Sequence, residues 1–122
     1  MGASRTENFH ICEITIPQGE SLSLSHWVEG IFMVGFFMPA GWNAAVLTAQ
    51  GSFDGNTWVD IYDTAGNEWS ATVAASRYCL SRTDRPWLGG IKYVRFRSGT
   101  AALPVVQDAE RVFSFTWAFP NA

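Results

Sequence analysis

From residue 9 onward the chain is a succession of short apolar segments, each cut off by Gly, Pro, Asn or Asp, and no helical period survives over a useful length. The segments are FHICEITI (9–16), SLSLS (21–25), GIFMVGFF (30–37), AAVLTAQGSF (44–53), TWVDIYD (57–63), EWSATVA (68–74), RYCLS (77–81), IKYVRFRS (91–98) and RVFSFTWAF (111–119). Short strands at this spacing predict an all-β fold, a single antiparallel β-sandwich of jelly-roll-like form. Its length of 122 residues fits one domain, placed at residues 9–122, with residues 1–8 a flexible polar arm.

The strongest turn signal is Asp54-Gly55, set between alternating runs. Gly55 can take a positive φ, Asp54 can accept backbone N–H groups, and Trp58 and Tyr62 share one face of the return strand with Asp60 between them. Asp54, Gly55 and Trp58 are therefore read as a structural turn. Asp54, Asn56 and Asp60 alternate as calcium ligands do, but the central Gly and closing Glu of such a loop are missing.

In the last segment Phe113, Phe115, Trp117 and Phe119 fall on one face, and Val112, Ser114, Thr116 and Ala118 on the other. The aromatic face must be covered by the core or by a partner. Six Trp among 15% aromatic residues exceed what a small domain readily buries, so these four residues are the candidate interface of a homo-oligomer, expected to be a trimer.

Composition narrows the function. A net charge of −3 gives no basic footprint for nucleic acid, and Arg77, Arg82, Arg85, Lys92, Arg95 and Arg97, with Asp84 among them, read as a solvated strand face. His10 and His26 have no recognisable Ser or Cys partner, so no catalytic constellation, metal or cofactor is expected. Cys12 and Cys79 read as two buried free thiols, with a single disulfide between them left open by the sequence. The start has no apolar leader, although Gly2 and Thr6 meet a myristoylation pattern, and the longest apolar run is too short to span a bilayer. No membrane association is expected, and synthesis is placed in a cytoplasm.

Two resemblances follow from quoted motifs. Ser52, Asp54, Gly55 and Trp58, with Tyr93, Val94 and Arg95 later, resemble the discoidin-type, galactose-binding-like sandwich, where these positions build the sheet. That family's flanking disulfide is not evident here. A longer run, roughly residues 30–112, resembles small structural proteins of tailed phages. It is carried by Met38-Pro39-Ala40, Trp42, Ala44-Ala45, Leu47-Thr48, Gln50 to Tyr62, Ala74 to Arg77, Tyr93 to Thr100 and Pro104 to Gln107. Residues 113–119 depart from that pattern. The resemblance implies a non-enzymatic virion component, a capsid decoration or head-spike subunit that docks on other virion proteins such as the major capsid protein. The alternative is a carbohydrate-binding module of a host-recognition fibre or tail component, with exposed Trp and Tyr stacking on a glycan.

Overall fold

The computed structural model describes residues 9–81 and 87–119. The expected arm, the Gly2/Thr6 pattern, Arg82, Asp84 and Arg85 lie outside the described residues. The strands are β1 (Phe9–Ile16), β2 (His26–Trp27), β3 (Ile31–Phe37), β4 (Leu47–Ser52), β5 (Val59–Asp60), β6 (Ser70–Ala71), β7 (Tyr78–Leu80), β8 (Trp87–Leu88), β9 (Tyr93–Ser98) and β10 (Arg111–Ala118). No helix among the described residues is long and apolar enough to cross a membrane.

Two antiparallel sheets form. The first runs β1-β10-β3-β7, with β8 also on β3; the second runs β2-β9-β4-β5, with β6 also on β4. β5 and β6 are halves of one strand position, because they pair successive stretches of β4: Gly51 and Gln50, then Thr48 and Leu47. A hairpin excursion closed by the Tyr62–Glu68 bridge separates them. β7 and β8 share β3 in the same way. With each broken pair taken as one position, the pairing is nested: first with eighth, second with seventh, third with sixth, fourth with fifth. That is a long hairpin wound over on itself, a jelly roll, and the Asp54 turn is the tip of the hairpin.

Alternation decides what is buried. β10 is central in its sheet, between β1 and β3, so its aromatic face has nowhere to go but inward. Phe113 and Phe115 are fully buried and meet Phe36 of β3 and Phe96 of β9, with ring centroids 5.0–6.1 Å apart. The Phe36–Phe96 contact joins the two sheets, and Leu47, Ala49 and Val94 complete the centre. Trp42 packs edge-on against Phe113 and donates its indole N–H to the Ala45 carbonyl.

Cys12 and Cys79 are free and half-buried rather than fully buried. Both lie on one row of the first sheet, Cys12–Phe115–Phe36–Cys79, three strand spacings apart. That is about 14 Å, too far for a disulfide. Burial pushes the Cys12 thiol pKa up.

Segment 21–25 keeps only one isolated bridge, Leu22 to Arg97. The reason is Ser23, whose side-chain oxygen accepts the Phe96 N–H in place of a backbone carbonyl. The next N–H, from Leu24, crosses to the Thr15 carbonyl of the other sheet. The segment is a strap between sheets, and the regular pairing moves on to His26–Trp27.

Candidate functional site

The outer faces of the two sheets differ in chemistry. On the second sheet, Thr48, Gln50 and Ser52 of β4 stand beside Arg97, Arg95 and Tyr93 of β9. Arg97 is only 6% exposed, which corrects its reading as part of a solvated strand face. Its guanidinium donates to Thr48 Oγ1 (3.0 Å), Asp60 Oδ1 (3.0 Å) and Glu68 Oε2 (2.7 Å). Asp60 also accepts from Gln50, whose carbonyl oxygen takes the Arg95 Nε–H at 2.8 Å. Arg95 in turn lies over the Trp58 ring, 4.3 Å from its centroid. Hydrogen bonding by Gln50 first, and then Arg97, holds the Asp60 carboxyl below its usual range. Every one of these charges is spent on another part of the sheet, so this face is a structural network.

The Asp54 turn belongs to the same kind of structure. Asp54 Oδ1 accepts the N–H groups of Asn56 and Thr57, each at 2.8 Å, and the Gly55 N–H bonds Ser52 Oγ. The backbone N–H groups of Thr57 and Asn56 hold the Asp54 carboxyl below its usual range. Asp60, six residues on, is committed to Arg97. Among the described residues no group of three or more His, Cys, Asp or Glu is placed to hold a metal ion. His10 stacks on Trp117 at 4.4 Å, and His26 sits in β2 opposite Val94.

The outer face of the first sheet is apolar. Its outward positions are Phe9, Ile11, Glu13 and Thr15 of β1; Val112, Ser114 and Thr116 of β10; Gly35 and Phe37 of β3; and Tyr78 and Leu80 of β7. Glu13 is the single charged residue among these. Leu80 is 65% exposed, Ile11 60%, Phe37 49% and Tyr78 40%. A groove of about 600 Å³ lies on the face; Phe9, Ile11, Val34 and Phe37 give it apolar walls, and His10, Tyr78 and Thr116 are its polar lining.

The groove has a built floor. Thr116 Oγ1 donates to the Gly35 carbonyl at 3.0 Å, and the Tyr78 hydroxyl donates to Thr116 Oγ1 at 2.9 Å. To reach it the Tyr78 ring lies across Gly35, where a Cβ would come within 2.6 Å of the hydroxyl oxygen. Phe37 packs against that ring, centroids 4.3 Å apart. A β-bulge at Val34, opposite the Thr116–Trp117 step, puts an extra residue on the groove wall.

The candidate interface read from the alternation of β10 is corrected here. Phe113 and Phe115 are core residues, so no partner reaches them. Trp117 is half-buried and packed on the core, and Phe119 alone of the four is exposed. Part of the exposed apolar surface lies instead on the opposite side of the same sheet, where Phe9, Ile11, Phe37, Tyr78 and Leu80 of β1, β3 and β7 come together, while Trp27, Phe53, Val59 and Tyr62 are exposed elsewhere. One signal pointed there: β1 and β3 are apolar at both odd and even positions, which marks strands needing cover on both faces. Asp54 and Gly55 form a turn closed by their own loop's hydrogen bonds, and Trp58, read with them, lies under Arg95 instead.

No family model, characterised protein or solved structure matches this chain.

Proposed function

We propose that this chain is a non-enzymatic structural subunit of a tailed-phage virion, a capsid decoration or head-spike protein that docks through the outer face of its first sheet. The observation that carries the reading is that face. An antiparallel sheet ordinarily leaves one side to water, and here the side turned away from the core holds Ile11, Phe37, Tyr78 and Leu80 with a single carboxylate. The resemblance of residues 30–112 to phage structural proteins supports the same reading and names the major capsid protein as the partner class. A jelly roll is compatible with it but serves lectins equally, so fold alone does not choose. The experiment is mass spectrometry of purified particles from a host carrying the gene. The chain is expected at a fixed ratio to the major capsid protein, and its absence from washed particles would overturn the proposal.

A glycan-binding reading is favoured by one observation: Trp27 and Tyr62 are exposed at the second sheet, where a sugar ring could stack. Trp58 is less suited, being covered by Arg95. Titration with a glycan panel decides it. Binding lost on Trp27→Ala in a still-folded protein would favour this reading.

A further inference from the structure

Backbone groups along a strand alternate in direction. The Thr15 carbonyl accepts from Leu24 at 2.9 Å and so points away from β10. By alternation the N–H and C=O of Glu13 and Ile11 point the same way. Among the described residues neither pair of groups has a backbone partner on that side, so the open edge of β1 presents unused donors and acceptors in strand geometry. What satisfies such an edge is another extended strand.

We propose that this strand is β1 of a second copy, giving a two-fold dimer in which the first sheet runs through both subunits. The inference rests on the reading of the chain as an assembling subunit. Length selects the occupant. Among the described edge strands β1 has eight residues, whereas β7 has three and β2, β5, β6 and β8 have two each. The edge that matches β1 is another β1, and a two-fold axis makes an antiparallel pair self-complementary.

The register is also constrained. An axis at Glu13 sets two carboxylates opposite each other, which is unfavourable. An axis at Cys12 brings Thr15 into the pairing, where Leu24 already occupies its carbonyl. An axis at Ile11 avoids both. Ile11 then meets Ile11 of the second copy with Cα atoms about 5.5 Å apart, the pair exchanging both hydrogen bonds. Ile11 also lines the groove, so the two grooves abut across the junction. Because the axis stands perpendicular to the sheet, both apolar outer faces point to the same side and form one docking surface of doubled extent. A dimer then replaces the trimer expected from sequence.

Residue-resolved hydrogen exchange on the purified full chain tests this. The Ile11 and Glu13 amides are expected to exchange about tenfold or more slowly at high concentration than at low, while the Cys12 amide, bonded to β10, stays protected throughout. Native mass spectrometry should show a dimer, and Ile11→Pro, which lacks the N–H, should give a folded monomer. Surface-rate exchange at Ile11 and Glu13 at every concentration would overturn the inference, even should Ile11→Pro fail to fold. An oligomer that survives Ile11→Pro but is lost in Leu80→Asp would also overturn it and leave the docking face standing. Protection at Ile11 in a chain that never enters particles would keep the dimer and remove the virion reading.

Discussion

Gly55 has φ of 82° at the tip of the wound hairpin, a conformation that a β-branched residue adopts only with strain. Gly55→Val is expected to lower stability by about 1 kcal/mol or more in urea unfolding. Asp54→Ala should cost less and leave docking intact, since the carboxylate serves only its own loop. Arg97 is the other residue that organises its surroundings. Buried between Asp60 and Glu68, it leaves two carboxylates uncompensated when removed, so Arg97→Ala should cost about 3 kcal/mol in the same measurement. The pH dependence has a fixed sign. Asp54 and Asp60 have folded pKa values below 3.8, so their contribution is complete above that value and is lost as pH falls through the folded pKa. Thermal unfolding should be flat above about pH 5 and decline below pH 3.8. Asp60→Asn should shrink that decline, and an unchanged acid profile would contradict the network.

At the scale of the strand, β10 and β3 show what alternation conveys and what it leaves open. The bounds of β1, β3, β9 and β10 lie close to the apolar segments, because each is a full ladder partner whose period-two pattern is set by the core. The short strands were less legible. Ser23 substitutes a side-chain oxygen for a ladder carbonyl, and the 57–74 region is interrupted by its own small hairpin. The aromatic stripe of β10 was visible as a stripe, but its direction depends on strand order, which follows from pairing with β1 and β3 rather than from local pattern. Phe115→Ala should therefore act as a core truncation, costing about 3–5 kcal/mol, with assembly affected only as folding is. On β3, Gly35→Ala places a methyl where the Tyr78 ring lies. The expected result is loss of the Tyr78–Thr116 hydrogen bond, seen as increased mobility of the Tyr78 ring by NMR, with the core signals of Phe36 and Phe115 little changed.

Over the whole molecule, the two sheets divide the work. The second sheet ties its charges into a closed network around Arg97, and the first sheet keeps an outer face with almost no charge. This asymmetry was only partly legible in sequence: β1 and β3 are apolar at both odd and even positions, but it is the nested pairing that brings β1, β3 and β7 into one apolar outer face. Composition did carry the general point that the aromatic surplus exceeds the core: Phe37, Phe53, Trp27, Tyr62 and Tyr78 remain at the surface. We propose that the outer face of the first sheet fixes the subunit to a particle. The most direct measurement compares incorporation of wild-type chain and Leu80→Asp into particles, alongside the melting temperature of each purified protein. Leu80 is outward-facing and mostly exposed, so the substitution should leave melting within a few degrees. The wild type is expected to co-sediment with particles while folded Leu80→Asp stays in the supernatant. Equal incorporation of the two, with both proteins folded, would contradict it.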